Sequence, residues 1–323
     1  MPDANEQFRF SKSEVNRAGE TLVKNPRDEQ AMEMLESWRY LHSGLLGSGK
    51  EGLFGHENSP LWQVSSRLKR SVSIIEKLVR FPEMKLSRMQ DIAGIRGVCM
   101  TGTPELQLTE NPCYTVKKTA NYLETPRESG YRAIHHILEI RDMLLEIQLR
   151  TRPQHLWAMA VETVGMFYGQ ALKSNRGDQG WLDFFRLASA LLSTMEGTPA
   201  VREYRDRDAK ELRQLLHRQG HDQSFFSKLT AIRRIHDQDS SGDYEYWLLD
   251  LDLKTGTCEV DGFRADQIRT AHKMYTAKEQ TPPYLRGDKQ IVLVSTSSFK
   301  DLRQNYPSYF LDVADFLEMI QTI

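Results

Sequence analysis

The sequence predicts a mixed α/β protein, with helices flanking a β-sheet, from three observations. Apolar residues recur every three or four positions from Ser11 to Leu46, the zone from Asp91 to Arg150 alternates with a period of two, and strand and helix patterns alternate again after residue 237. The 323 residues allow about two domains. With 39% hydrophobic and 27% charged residues the chain can bury a core, which excludes a disordered tail. Its 43 Lys and Arg balance 44 Asp and Glu, for a net charge of −1, which argues against a general nucleic-acid coat protein but leaves room for a local basic surface. Cys99, Cys113 and Cys258 are far apart and form no CxxC pair, so neither a disulfide framework nor a zinc knuckle is expected. The polar segment Met1 to Arg17 lacks a secretory apolar run, and no stretch approaches the ~18 apolar residues of a membrane span. A cytoplasmic protein without a membrane partner is expected.

Taken in order, Val15, Ala18 and Leu22 mark one helix and Ala31, Met34, Leu35, Trp38 and Leu41 a second, divided at Lys24-Asn25-Pro26. Gly44 to Pro60, with five glycines and a proline, reads as a loop. Arg67 to Arg96 then carries eight basic residues against three acidic ones. Within it, Ser73 and Glu76 fit a capping box, which predicts a helix starting at Ser73 with free N–H groups able to attract phosphate. Asp91 to Met100 predicts a strand entry. Tyr131 to Ile140 and Met143 to Arg150 predict two strands joined by a tight turn at Arg141-Asp142. Helices follow at Gln154 to Gln170 and Trp181 to Met195, then a charged helical stretch at Arg202 to Ile235. The remainder predicts strands at Tyr244 to Leu253, Thr257 to Gly262 and Ile291 to Ser295, and helices at Ala265 to Lys278 and Leu311 to Ile323. Divided by role, residues 1–200 form the main domain, 201–236 a helical connector and 237–323 a smaller α/β unit.

The chemistry concentrates in the β-rich zone. In a strand, Glu146, Gln148 and Arg150 share one face and Leu145, Ile147 and Leu149 the other, giving a polar ladder on an apolar backing. An exposed sheet face with incidental charges would look the same. Tyr131 and His135 on the partner strand could join that ladder, and an aromatic ring beside Gly130 can serve as a stacking platform for a base. Asp91 and Glu146 on neighbouring strands could hold Mg²⁺ together with substrate phosphates. Gly94 is expected to allow close backbone approach. Arg67, Lys69, Arg70 and Lys77 could attract phosphate oxygens, against the blander alternative of a solvated helix face. These parts suit phosphoryl or pyrophosphoryl transfer between two nucleotides, and no GxxxxGK[ST] loop or kinase signature is present.

Four motifs, RLKRSVSIIEKL, MQDIAGIRGV, ESGYRAIHHI and EIQLRTRPQHLWAMAVE, in this order, resemble the synthetase domain of RelA/SpoT-type alarmone synthetases from about Ser11 to Glu196. The resemblance implies a nucleotidyltransferase-like mixed sheet and transfer of pyrophosphate from ATP to the 3′-hydroxyl of GDP or GTP. It implies Asp91 and Glu146 as catalytic and Mg²⁺-binding acids, and Arg67, Lys69, Lys77 and Arg96 as ATP-binding residues. On the acceptor side it implies Tyr131 stacking on guanine, with Arg127, His135, Gln148 and Arg150 in support. Two other functions stay open: pyrophosphorylation of the tRNA 3′ end, as in toxic relatives, and a non-catalytic nucleotide sensor.

The family's Lys-Asp-Tyr-Ile reads Ala120-Asn121-Tyr122-Leu123 here, leaving Lys117 or Lys118 to replace the absent lysine, and the link from Arg96 to Tyr131 is short. The metal-dependent hydrolase of bifunctional members has no counterpart beyond the pairs His221-Asp222 and His236-Asp237, so a synthetase-only protein is expected. Residues 297–303 and 306–312 are similar to stretches of the C-terminal extension of longer members. Met274, Tyr275 and Phe310 are expected in the core, and a second copy of the chain or a protein ligand of the C-terminal unit is an open partner.

Overall fold

In the computed structural model, which describes residues 10–54, 62–100, 113–168, 170–222, 244–252, 257–286, 288–295 and 313–322 with single positions at 102, 104, 108, 225 and 229, the N-terminal periodicity becomes two helices. Helix α1 (Lys12–Lys24) starts at a capping box: the Glu14 amide donates to Ser11 Oγ at 3.2 Å, and the Ser11 amide donates to the Glu14 carboxylate at 2.7 Å. Helix α2 (Glu29–Phe54) starts where Asp28 accepts from the Ala31 amide and runs through much of the stretch expected as a loop. The reason is packing. A Cβ on Gly49 would lie 2.8 Å from Ile95 and 3.0 Å from Leu145, so the helix lies directly on the sheet. That burial outweighs the cost of about 1 kcal/mol per helical glycine. Residues 55–60 lie outside the described set.

The sheet has eight strands in the order β3-β4-β5-β2-β1-β8-β6-β7. They are β1 (Trp62–Leu68), β2 (Ala93–Cys99), β3 (Thr115–Asn121), β4 (Ile134–Ile140), β5 (Met143–Thr151), β6 (Tyr246–Asp252), β7 (Thr257–Phe263) and β8 (Lys289–Ser295). Strands β2 and β5 are parallel and every other pair is antiparallel, which makes the sheet mixed. The β4–β5 turn is the two-residue one expected, with Arg141 at φ 47° and Asp142 at φ 64°, the left-handed pair of a type I′ hairpin. Strands β1 and β3 are additional to the sequence expectation. β3 is a polar edge strand (TVKKTAN), the kind whose charges discourage further pairing.

Among the described residues three apolar clusters pack on the sheet, two large ones on opposite faces and a smaller one around Leu248, Phe263 and Leu293. Leu145, Ile147 and Leu149 are fully buried with α1, α2 and α3 (Ser71–Arg80). The opposite side packs α4 (Arg152–Phe167) and α5 (Gln179–Met195), with α6 (Ala209–Asp222) against them, around Trp157, Trp181, Phe184 and Phe185. The strands described after residue 244 join the same sheet: β8 pairs with β1 at Ser66–Ser295 and Arg67–Val294. Helix α7 (Ile268–Glu279) buries Tyr275 as expected, but Met274 is exposed, because it points away from the sheet-facing stripe of Ala271 and Tyr275. Helix α8 (Ala314–Thr322) sets Phe316 against Phe185. Phe310, residues 297–303 and 306–312, and the pair His236-Asp237 lie outside the described residues, whereas His221 is exposed at the end of α6. Among the described residues no helix is long and apolar enough to cross a membrane.

Helix α3 begins at Ser71, two residues before the expected start, because its first turn is capped from outside. The buried Glu279 carboxylate of α7 accepts from the Ser71 amide and hydroxyl, each at 2.9 Å. Arg39, fully buried on α2, pairs with Glu36 at 2.6 Å and Glu279 at 3.2 Å, and donates through Nε to the Lys69 carbonyl at 3.0 Å. The positive end of α3 therefore faces a protein carboxylate, and the expected role of its amides in attracting phosphate is not met.

Candidate active site

Sheet register builds the floor of one cleft. One rung across five strands reads Lys118, Ile137, Glu146, Gly94, Arg67, and the next reads Ala120, His135, Gln148, Arg96, Ser65. Side-chain alternation places both rungs on the face opposite Leu145, Ile147 and Leu149. Gly94 sits between Glu146 and Arg67, and a Cβ there would meet only the Glu146 carbonyl oxygen, at 3.9 Å. Close backbone approach is thus not what Gly94 supplies. It leaves the middle of the floor open.

On one side Asp91, just ahead of β2, pairs with Lys69 at 3.0 Å and Lys77 at 2.8 Å. Burial opposes its charge, but the two ammonium groups outweigh it and hold the carboxyl below the usual range. Burial in turn pushes the Lys69 ammonium down, against the pull of Asp91. Arg67 and the buried Arg96 complete this basic wall.

On the other side hydrogen bonds connect the polar ladder from Arg150 to Glu146. Glu146 accepts from His135 Nδ1 at 2.9 Å and from Gln148 Nε2 at 2.7 Å. Tyr131 Oη lies 2.6 Å from His135 Nε2 and accepts from Arg150 Nη2 at 2.8 Å, while Arg150 also donates to Gln148 Oε1 at 3.1 Å. With Nδ1 facing the carboxylate, His135 links Glu146 to the Tyr131 hydroxyl and through it to Arg150. Burial and the nearby Asp91 raise the Glu146 pKa, yet the His135 and Gln148 contacts prevail and keep it low. Both acids are therefore ionised near neutral pH.

The eleven residues implied by the resemblance all line this cleft, whereas Arg70, also singled out for phosphate, is not among its lining residues and donates to Gln290 at 3.2 Å. Two of them sit differently from a bare platform. Tyr131 is only 9% exposed, and the guanidinium carbons of Arg150 and Arg127 lie 5.1 and 5.7 Å from its ring centroid. Arg127 also lies 4.4 Å from the Tyr122 ring centroid and donates to its hydroxyl at 2.7 Å. His136, on the opposite face, bonds Thr119 at 2.9 Å. Gly130, at φ 91°, turns the chain into Tyr131 where a Cβ would lie 2.9 Å from Ser189 Cβ.

Sequence reasoning left one lining residue undecided and missed Ser65 and Lys173. Lys118 faces the cleft with Ala120 and Tyr122, whereas Lys117 pairs with Glu139, so of the two candidates for the absent family lysine only Lys118 lines the cleft. Ser65 faces the cleft from β1, a strand with no clean alternation. Lys173 enters from the 3₁₀ turn Leu172–Ser174 after α4 and pairs with Glu162 at 3.3 Å. No motif or spacing marks it. Among the described residues no group of three or more His, Cys, Asp or Glu could hold a metal.

A family model for a region found in RelA / SpoT proteins matches residues 66–168. Two Bacillus subtilis (strain 168) proteins are similar to this chain. GTP pyrophosphokinase YjbM is 30% identical over 127 residues, 35% of this chain and 60% of its own length. GTP pyrophosphokinase YwaC is 31% identical over 121 residues, 32% of this chain and 57% of its own. The chain thus spans somewhat under two thirds of these relatives' length. The crystal structure of small alarmone synthetase 1 from Bacillus subtilis bound to its product pppGpp aligns at TM-score 0.42 and 26% identity, covering 53% of this chain and 94% of that one.

Proposed function

The chain carries a RelA/SpoT-type region over residues 66–168, and from that premise we propose that it is a nucleotide pyrophosphokinase, moving the β,γ-pyrophosphate of ATP to the ribose 3′-hydroxyl of GDP or GTP. One observation carries the proposal: a basic wall and a polar aromatic wall face each other across one cleft, with two ionised carboxylates between them. Arg67, Lys69, Lys77 and Arg96 bind the donor, whose polyphosphate charge relieves the crowding of four cations. Tyr131, Arg127, His135, Gln148 and Arg150 hold the acceptor. Its purine stacks at Tyr131 by taking the place of the exposed Arg127 side chain.

The acceptor hydroxyl oxygen attacks the donor β-phosphorus. The bond from that phosphorus to the α–β bridging oxygen breaks, AMP leaves, and the hydroxyl proton passes to Glu146. His135 and Gln148 hold Glu146 through both carboxylate oxygens, so its orientation is set before the substrate arrives. The residues present fit Mg²⁺. Asp91 and Glu146 are ionised, repel one another and share the cleft, and this ion takes one or two carboxylates together with substrate phosphates. When bound, the ion would neutralise charge developing on the transferred group.

Incubation with γ-labelled ATP and GDP, GTP or deacylated tRNA tests the proposal. Labelled guanosine tetra- or pentaphosphate is expected, lost in Asp91→Asn and Glu146→Gln. Label on tRNA alone would replace the acceptor, and ATP binding without any transfer would make the protein a sensor.

A further inference from the structure

The donor wall has a fifth cation that neither motif nor spacing reveals. Leu172 is 1% exposed and anchors the turn after α4, and Lys173 next to it reaches into the cleft. It donates a hydrogen bond to Glu162 of α4, at 3.3 Å. Glu162 also feels Arg67 and Arg96, and these together with Lys173 hold its carboxyl well below the usual range against the effect of burial. One carboxylate thus faces three nearby cations, and Arg150 adds a fourth positive charge to the field at Lys173. A simple ion pair needs one cation per anion. Such a concentration of positive charge around one carboxylate suits an incoming anion. Two buried groups of the same cleft point the same way: Arg150 Nε and Nη1, and the Ser65 hydroxyl, have no hydrogen-bond partner.

We propose that Lys173 is a phosphate-binding residue on the donor side, held by Glu162 until a polyphosphate arrives. The proposal rests on the pyrophosphokinase reading of the cleft and adds a donor contact to it. Glu162 favours the Lys173 charge, but desolvation and repulsion from Arg67, Arg150 and Arg96 bring the ammonium down to about 8. A bound polyphosphate replaces that repulsion by attraction and restores full charge. Lys173 thereby makes the site respond to the presence of a highly charged anion, in a way that an always-charged arginine does not.

Calorimetric binding of ATP, and of inorganic tripolyphosphate as a probe lacking a base, tests this on the full chain at constant Mg²⁺. Lys173→Met should weaken both ligands tenfold or more at pH 7, while Lys173→Arg stays within threefold of wild type. Wild-type affinity should fall as pH rises from 7.5 to 9, because the free enzyme must then take up a proton, and the Lys173→Arg profile should fall less steeply, with the remainder belonging to Lys69. Glu162→Gln should bind within threefold of wild type. Equal losses of affinity and melting temperature in Lys173→Met and Glu162→Gln would show a structural ion pair and overturn the proposal. So would Lys173→Met binding within twofold of wild type. These readouts do not require transfer: binding that depends on Lys173 in a protein unable to label GDP would keep the proposal and remove the pyrophosphokinase reading.

Discussion

Replacing Tyr131 with Phe keeps the ring and deletes the hydroxyl that links Arg150 to His135. Two hydrogen bonds go, at 2.6 and 2.8 Å, one of them from a guanidinium. A bond to a charged group contributes about 1.5–3 kcal/mol and a neutral one about 0.5–1.5 kcal/mol, so the ladder loses roughly 2–4 kcal/mol. Arg150 has no slack to absorb the change, since Nε and Nη1 already lack partners and Nη2 would keep only Gln148. His135 in turn loses the contact that fixes its ring against Glu146. If the lower figure appears in the positioning of Glu146, kcat/KM for the guanine nucleotide falls about 30-fold, at about 1.4 kcal/mol per factor of ten. ATP binding, on the opposite wall, should be unchanged. Steady-state label transfer with GDP varied at saturating ATP measures the first, and calorimetry the second. A Phe variant within threefold of wild type would refute the wired ladder and leave Tyr131 as a stacking surface alone.

Arg39→Met should lower stability by about 3–5 kcal/mol, because it strands Glu36 and Glu279 in a buried site, and should lower the melting temperature by roughly 4–7 °C in a thermal scan. Adding Glu279→Gln to that variant should recover part of the loss. His42 is buried, and desolvation outweighs its bond to the Trp38 carbonyl and depresses its pKa to about 4. Because its folded pKa lies below the unfolded value of 6.5, its contribution is present above pH 6.5 and lost as pH falls through about 4. That is about 3 kcal/mol, measurable as a shallower pH dependence of the urea midpoint in His42→Gln. Gly130→Ala combines a left-handed φ with a Cβ pressed on Ser189 and Trp157 and should cost about 1–3 kcal/mol while displacing Tyr131, read by melting temperature and acceptor KM.

Local pattern made part of this molecule legible. In EIQLRT the alternation alone separates Glu146, Gln148 and Arg150 from Leu145, Ile147 and Leu149, and a strand has no other way to place them. The Arg141-Asp142 turn was equally local. Helix α2 was cut short in the sequence because glycine propensity is a weak preference, and contact of Gly49 with Ile95 and Leu145 overrides it. Pairing of β1 with β8 joins residues more than 220 positions apart, and no periodicity encodes such a partner. The Ser73 start failed for a similar reason: the group that caps α3 is Glu279, contributed by another part of the chain. Tyr131 was found by its resemblance and its neighbour Gly130, but not its enclosure by Arg127 and Arg150, which depends on long, flexible side chains. Lys173 had no signal at all.

The junction between β1 and β8 makes the C-terminal strands difficult to remove. Cutting the chain before β6 would uncover the long side of β1 as a bare hydrogen-bonding margin, an invitation to pair with other molecules. It would also delete the carboxylate seated at Ser71, two residues from Lys69, leaving buried Arg39 with Glu36 as its remaining acid. A shortened form built to isolate the nucleotide cleft should therefore self-associate and hold its lysines loosely, even though every residue lining that cleft would still be present.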